Sequence, residues 1–311
     1  MGLKIAVIGA GGVGGYFGGR LAAAGHDVGF VARGEHLAAL KRDGLAVTSV
    51  AGDFTVAPVR ATDDPGELGE ADFVLLAVKT WQLEPAIAAA KPLFGPDTAV
   101  VTTQNGVDAP GQVADVVGRG AVLPGAAEVI AFLDGPGRVR QIGGGKLTFG
   151  EWDDRPSARV TALREALQES GLTAVVATDV WAALWEKFLA LASLGAIGTV
   201  TDAPYGVLRA RAGTRQLIVD SMTEIERVAR AKGVRLADDV VAAQIAFLDR
   251  LPADGTASLQ RDIRAGRPSE LEAWTGTVVR LGRETGTPTP VNSLLYELAS
   301  TRAAAGAHPR P

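Results

Sequence analysis

Residues 3–19 read LKIAVIGAGGVGGYFGG, and this stretch carries the strongest structural signal of the chain. Residues 3–8 are mostly apolar and β-prone, as in a strand buried on both faces, and they lead into three glycines spaced G-x-G-x-x-G. In that spacing the first glycine allows a tight turn, the second lets the backbone approach a pyrophosphate, and the third lets the next helix pack closely. Residues 13–24 have a helical pattern, and a helix N-terminus offers free N–H donors to an anion. A glycine-rich turn without a ligand is the alternative. The predicted dinucleotide-binding loop comprises Gly9, Ala10, Gly11, Gly12, Val13 and Gly14.

Composition narrows the class of protein. The 311 residues are enough for two domains, and 47% hydrophobic with 21% charged residues is ordinary for a globular chain. Cysteine is absent, which excludes disulfides, a thiolate nucleophile and sulfur-ligated metals, and no metal site is expected. Basic residues are scattered at a net charge of −4, and no apolar run approaches the ~20 residues of a membrane span. We therefore expect a cytoplasmic protein that binds neither nucleic acid nor a membrane.

Strand signals recur along the first half of the chain and then stop. Further strands are expected at 26–32, 71–78, 98–103, 121–131 and 172–177, with a small β excursion at 45–58, a break at 135–137, a hairpin around three glycines at 139–150 and a helix at 156–170. From residue 179 onward apolar residues recur three and four apart. Helices are expected at 180–194, from 217 to a stop at Gly233, and at 237–250, 258–266, 269–285 and 291–303. The predicted fold is α/β: an N-terminal Rossmann-type doubly wound sheet in residues 1–178 and an all-helical domain in residues 179–311.

Polar residues follow several predicted strands at the end where such sheets bind ligands. Arg33 follows the second strand, where an arginine favours the 2′-phosphate of NADP; a solvent-exposed arginine in a turn is the alternative. Lys79 and Gln82 follow the strand at 71–78. Asn105 lies in a Gln-Asn-Gly sequence, which suits either a simple turn or an amide beside nicotinamide or substrate.

Reduction of a carbonyl by hydride needs an acid to protonate the developing alkoxide. The histidines are His26 and His36, on the predicted adenine side, and His308, near the C-terminus, so histidine is not the expected acid. Lys187 is the alternative, because it lies in the strongly apolar stretch 179–195, where lost solvation would lower the pKa of its ammonium group. A lysine that extends past an apolar helix face to water is the competing interpretation.

Taken together, these motifs resemble the ketopantoate reductase (2-dehydropantoate 2-reductase) family over almost the whole chain. The matching segments are GAGGVG at 9–14, AGHDVGFVAR at 24–33, VKTWQ at 78–82, QNG at 104–106, WEK at 185–187 and SLQRDIRAGRPSE at 258–270. The resemblance implies an NADPH-dependent enzyme that reduces a 2-oxo acid or ketone. It implies that Lys187 donates the proton and anchors substrate, that Arg33, Lys79 and Gln82 contact the cofactor, and that Asn105 lies near nicotinamide and substrate. It further places Ala131 along the cofactor, Ser258 at the substrate carboxylate and Glu270 at the cofactor.

The resemblance fails at three positions of the implied substrate site. Where the family commonly has asparagines four and eight residues after the catalytic lysine, this chain has Leu191 and Gly195, and a third asparagine is replaced by Tyr205. Amides that bond substrate discriminate strongly, so their loss predicts an apolar, roomier wall and a less polar or bulkier substrate. A non-catalytic NADP-binding redox sensor of the same fold is the alternative function. Apolar helix faces in the second domain would suit a homodimer.

Overall fold

The computed structural model describes residues 2–306. These residues form two compact units. The first unit comprises the described residues up to Gln104 together with Ala109–Val180, and the second comprises Asn105–Asp108 together with the residues from Trp181 onward. The predicted architecture, an N-terminal α/β unit followed by a helical one, is confirmed. The assignment of residues 105–108 to the helical unit has no counterpart in the sequence pattern.

The strands all lie in the first unit of the described chain. They are β1 (Lys4–Ile8), β2 (Asp27–Val31), β3 (Leu45–Ser49), β4 (Phe54–Val56), β5 (Arg60–Thr62), β6 (Phe73–Leu76), β7 (Ala99–Thr102), β8 (Val122–Leu123), β9 (Gly125–Leu133), β10 (Arg138–Phe149) and β11 (Thr173–Val176). The helices of this unit are α1 (Gly12–Ala23), α2 (Gly34–Asp43), α3 (Leu83–Ala89), α4 (Ala109–Val117) and α5 (Ala158–Glu169). The helical unit contains α6 (Val180–Thr201), α7 (Tyr205–Ala210), α8 (Ala212–Ala231), α9 (Val240–Arg250), α10 (Ser258–Arg264), α11 (Thr277–Thr285) and α12 (Pro290–Gly306).

A parallel sheet in the order β5–β2–β1–β6–β7–β8 forms the centre of the first unit. Residues 5–8 of its central strand β1 are all apolar because successive side chains enter different cores. Ile5 and Val7 of β1 join a core that includes Phe17 of α1, whereas Ile8 joins a core that includes Ile87 of α3. Helices therefore cover both faces, as in a doubly wound sheet.

A second sheet in the order β11–β10–β3–β4, with β9 on β10, differs from the expectation. The predicted hairpin around three glycines at 139–150 is wrong, because β10 runs straight through them. The hairpin turn lies at residues 134–137 and joins β9 to β10. The register shifts between Gln141 and Gly143 and again between Gly144 and Lys146. The glycines accommodate these bulges, since Gly144 has φ +73°.

The core helix of the second unit is α6. By length and composition α6 could cross a membrane, since an 18-residue window within it has a mean hydropathy of 1.4. However, 72% of that window is buried within the protein. It continues to Thr201, past the predicted end at 194, because Gly195 and Gly198 are packing positions inside the helix. The predicted helix at 269–285 instead begins with a π-helical turn at Glu272–Gly276, in which the Gly276 N–H donates to the Leu271 carbonyl.

A buried polar network ties three helices of this unit together. Glu224 of α8 accepts hydrogen bonds from the backbone N–H groups of Val291 and Asn292 at the start of α12, at 2.8 and 2.9 Å. The Asn292 side chain accepts from Ser221 at 2.9 Å, and Ser221 bonds Ser193 of α6 at 2.8 Å. The carboxylate therefore caps α12, where free amides and the helix dipole stabilise a negative charge.

Candidate active site

The glycine loop between β1 and α1 has the geometry expected of a pyrophosphate-binding turn. Gly9 has φ +96°, and its N–H donates to the Val31 carbonyl of β2 at 3.2 Å. A Cβ on Gly14 would overlap the Gly9 carbonyl, so only glycine lets α1 approach β1 this closely. A Cβ on Gly11 would meet no described heavy atom within 4 Å, which leaves its backbone accessible. The loop residues therefore fit a bound dinucleotide.

Two residues from distant parts of the first unit contact the glycine loop, one from β9 and one from α2. A Cβ on Gly12 would overlap the Ala131 carbonyl, so β9 lies directly against the N-terminus of α1. His36, in the first turn of α2, places Nε2 2.8 Å from the Ala10 carbonyl oxygen. Burial lowers the pKa of His36, and the hydrogen bond to Ala10 opposes that effect. Sequence reasoning assigned His36 no role; a histidine soon after Arg33 was the only available signal.

The other histidines do not enter the candidate site. His26 accepts a hydrogen bond from the Leu3 N–H at 3.1 Å, at the start of β1. His308 lies outside the described residues.

The predicted cofactor residues of the first unit lie where the strands end. Arg33 is the exposed N-cap residue of α2, directly after β2, and its guanidinium makes no ion pair within residues 2–306. Lys79 follows β6; its Nζ lies 5.8 Å from the ring centroid of Trp81, and its N–H makes a long 3.4 Å hydrogen bond to Gln82 Oε1. These positions match the edge at which such sheets hold ligands.

Lys187 and Asn105 meet within the second unit. The Lys187 Nζ donates to Asn105 Oδ1 at 2.9 Å, and the lysine is half-buried; its sequence neighbours Trp185 and Phe188 form an edge-to-face pair. An ammonium group only donates, so the amide oxygen faces the lysine and the amide NH₂ remains a donor on its other side. Ammonium and amide donors can therefore converge on one carbonyl oxygen.

The wall next to Lys187 is apolar, but it is not roomier at Gly195. Leu191 and Gly195 continue the face of α6 that carries the lysine, at spacings of four and eight residues. A Cβ on Gly195 would lie 2.9 Å from the indole of Trp274 and 3.2 Å from Leu259. Trp274 is fully buried, so its ring occupies the space that the missing side chain leaves. The expectation of extra room at Gly195 is wrong, because a residue 79 positions away, with no local sequence signal, fills it.

Ser258 and Tyr205 lie near the start of α10. Ser258 is the first residue of that helix and half-buried, and its neighbour Leu259 packs on Gly195. Tyr205 opens α7, donates its N–H to the Gly255 carbonyl at 2.9 Å and packs its ring on Gly255. Burial raises the pKa of Tyr205 to about 12, with Arg261 opposing, so the phenol is neutral at physiological pH.

Glu270 precedes the π-helical turn that bridges the two sides of this site. Glu270 is 5% exposed, and its carbonyl accepts a hydrogen bond from Trp274 N–H at 3.0 Å. A Cβ on Gly106 would lie 3.0 Å from the carbonyl oxygen of Ala273. The turn thus contacts the segment that carries Asn105 on one side and the Gly195 face of α6 on the other. Within residues 2–306 no cluster of three or more His, Asp or Glu side chains could hold a metal ion.

Comparison with known proteins identifies the family of this chain. The family described as ketopantoate reductase PanE/ApbA matches residues 5–154, and its C-terminal domain matches residues 179–303. A 2-dehydropantoate 2-reductase of Mesorhizobium japonicum is 34% identical, over 96% of this chain and 99% of the relative. The crystal structure of a PanE/ApbA family ketopantoate reductase from Ralstonia eutropha has a TM-score of 0.90 at 32% identity, covering 98% of this chain and 100% of that one.

A more distant structure shares the fold. D-mandelate dehydrogenase, solved with NADH and anilino(oxo)acetate, has a TM-score of 0.89 at 24% identity, covering 98% of this chain and 100% of that one. At that identity the likeness concerns the fold alone. The matches to the family and to full-length relatives carry the assignment: the chain is an oxidoreductase that belongs to the ketopantoate reductase PanE/ApbA family.

Proposed function

We propose that the protein reduces a 2-oxo acid, ketopantoate or a less polar relative, to the 2-hydroxy acid, with NADPH as the reductant. The observation that carries the proposal is the 2.9 Å hydrogen bond from Lys187 Nζ to Asn105 Oδ1 on an otherwise apolar helix face. A bound nicotinamide dinucleotide would supply the hydride. The chain must then bind the oxo acid, orient its carbonyl and deliver one proton.

Lys187 is the proposed proton donor. As hydride reaches the carbonyl carbon, negative charge develops on the oxygen, and the ammonium group both stabilises it and transfers a proton to it. Asn105 holds the ammonium group through its amide oxygen and offers its NH₂ to the same carbonyl. The half-burial of Lys187 strengthens its interaction with the developing charge, since that interaction is less screened by water.

Other residues of the chain would hold the remaining groups of the substrate and the cofactor. The Ser258 hydroxyl, at the first position of α10, is the proposed partner of the substrate carboxylate. Glu270 is proposed to contact the cofactor, and it belongs to the same unit as Lys187. Leu191 and Tyr205 are the proposed substrate-binding positions at which this chain differs from the family pattern.

The preference for NADPH rests on Arg33. An arginine after the second strand of this fold suits a 2′-phosphate, and the guanidinium of Arg33 is exposed with no ion pair within the described chain. Lys79 and Gln82 are proposed to contact the adenosine end of the cofactor, and Ala131 to lie along it beside Gly12.

The substrate is proposed to be less polar than ketopantoate, and not larger at Gly195. Leu191 offers no hydrogen bond to a hydroxyl group, and Trp274 closes the space beside Gly195. The shared fold of D-mandelate dehydrogenase makes an aromatic 2-oxo acid a sensible comparison. If ketopantoate is preferred after all, the reaction belongs to pantothenate biosynthesis.

The experiment is a steady-state assay of NADPH and NADH oxidation against ketopantoate, 2-oxoisovalerate, 2-oxoisocaproate and benzoylformate. We expect turnover of at least one of these compounds, and a higher kcat/KM with NADPH than with NADH. Highest kcat/KM for ketopantoate by a wide margin would reject the less polar substrate. NADPH binding by calorimetry without turnover of any substrate would instead favour the alternative, a non-catalytic NADP-binding redox sensor.

A homodimer is the proposed assembly. Leu294 and Leu298 lie one turn apart on α12 and are 60% and 45% exposed, which favours an apolar contact with a second copy. Light scattering gives the mass in solution, and Leu294→Glu should convert a dimer into a monomer. A wild-type mass of one chain would reject this assembly.

A further inference from the structure

We infer that His36 is a positioning residue for the cofactor: its imidazole holds the Ala10–Gly11 peptide so that the loop presents its N–H groups to the pyrophosphate. The inference rests on the proposed dinucleotide binding. It concerns a residue outside the glycine motif, contributed by the first turn of α2.

The hydrogen bonds of His36 define one tautomer. The Gly137 N–H donates to Nδ1 at 3.0 Å, so Nδ1 carries a lone pair. Nε2 therefore carries the proton of the neutral ring, and it donates to the Ala10 carbonyl at 2.8 Å. The neutral imidazole thus connects the glycine loop to the hairpin turn at 134–137.

The Ala10 carbonyl and the Gly11 N–H belong to the same peptide group. In a trans peptide these two groups point in opposite directions, so a carbonyl held by the imidazole directs the Gly11 N–H away from His36. Gly11 is also the loop position where an added Cβ would meet no described heavy atom within 4 Å. His36 therefore orients the peptide at the accessible point of the loop.

Among the contacts of residues 2–306, others restrain the two ends of the loop, and the imidazole restrains this peptide. The Gly9 N–H is held by the Val31 carbonyl, and Gly12 packs against Ala131. Between them, the carbonyl of Ala10 is held by a side chain, which can be replaced without changing the loop sequence.

Two isosteric variants separate the two hydrogen bonds of His36. His36→Gln keeps an N–H donor near the position of Nε2 and loses the acceptor for Gly137. His36→Asn keeps an oxygen acceptor near the position of Nδ1 and loses the donor to Ala10. The measurements are the NADPH dissociation constant by calorimetry, without substrate, and the melting temperature of the cofactor-free protein.

The expected result is a split between these variants. His36→Asn should weaken NADPH binding by roughly two- to tenfold, the range of one neutral hydrogen bond, and His36→Gln should bind within about twofold of wild type. Equal affinities in both variants, or a loss in His36→Gln alone, would overturn the positioning role. The positioning role would also be overturned if the loss of NADPH affinity in the two variants simply paralleled their loss of melting temperature.

The same titrations distinguish this inference from the proposed function. Wild-type protein that binds neither NADPH nor NADH would overturn the proposed function, and the role of His36 with it. Wild-type protein that binds NADPH, together with an unaffected His36→Asn variant, would overturn the role of His36 alone.

Discussion

The indole of Trp274 occupies the space that a side chain on Gly195 would need, with ring carbons 2.9 Å from the position of a Cβ. Gly195→Ala should therefore lower the free energy of unfolding by about 1–3 kcal/mol, because neither the buried ring nor α6 can move freely. Gly213 of α8 is the matched control, since a Cβ there meets no described atom within 4 Å. Gly213→Ala should leave stability unchanged or raise it. Equal urea midpoints for the two variants would contradict the packing role of Gly195.

Removal of the proposed proton donor should separate chemistry from cofactor binding. Lys187→Ala should lower kcat by about 10²–10⁴-fold, the usual contribution of a general acid, and leave the NADPH dissociation constant unchanged. Lys146 is the control, because it is a partly exposed lysine of the first unit paired with Glu128. Lys146→Ala should retain wild-type turnover. Wild-type kcat in Lys187→Ala would remove this lysine from the mechanism.

Loss of Arg33 should discriminate between the two dinucleotides. Arg33→Ala should weaken NADPH binding roughly tenfold or more, as for a charge-assisted hydrogen bond, and leave NADH within about twofold. Arg42→Ala is the control for loss of positive charge on the same helix, since the Arg42 side chain is paired with Asp43. If titrations showed the same loss for both cofactors, Arg33 would not contact a 2′-phosphate.

The buried carboxylate of Glu224 should contribute to stability through its charge and both its oxygens. They accept from Val291 N–H, Asn292 N–H and the Asn292 side-chain amide at 2.7–2.9 Å. Glu224→Gln must turn an NH₂ group toward at least one of these donors, so the free energy of unfolding should fall by about 1–3 kcal/mol. Glu297→Gln, an exposed change on α12, is the control and should be neutral. Denaturant titrations with indistinguishable midpoints would show that the cap is dispensable.

The pH dependence of stability should report His36. Its pKa is lowered in the folded protein, chiefly by burial, so the unfolded chain binds the proton more readily. The contribution of the neutral imidazole is therefore complete above the unfolded value of about 6.5 and declines as pH falls through the lower folded pKa. The difference in unfolding free energy between wild type and His36→Asn should shrink from pH 7.5 to pH 5. A difference independent of pH would contradict this assignment.

Local patterns in the sequence predicted the parallel sheet and most of the helical unit. Buried strands such as β1 are apolar on both faces, and α8 repeats its buried positions, including Ile218, Met222 and Ile225, at helical spacing. The short helices α2, α3, α4 and α7 were missed, because few apolar residues mark so short a face. The bulges at 143–145 were mistaken for a turn because glycine serves both structures.

Only part of the candidate site could be predicted from the sequence, and the roles assigned to its residues stay predictions. The apolar surroundings singled out Lys187, but its partner Asn105 is 82 residues away. Trp274 gave no local signal, and His36 gave only its position soon after Arg33, because each acts through contacts with distant segments. His36 bonds Ala10 and Gly137, at separations of 26 and 101 residues. Periodicity describes which residues are buried, and it does not identify which buried residues meet.

The π-helical turn at Glu272–Gly276 makes residue number in this segment as important as residue type. Such a turn contains one residue more than an α-helical turn, so deleting one residue would restore a regular α-helical turn with the flanking residues still in register. Trp274, which packs on Gly195, lies within the turn, whereas Thr277, which donates to Asp108 at 2.8 Å, lies directly after it. A deletion here should therefore disturb the packing of Trp274 more than the contact of Thr277. Efforts to redirect substrate preference should vary Trp274 and Leu191 at constant chain length.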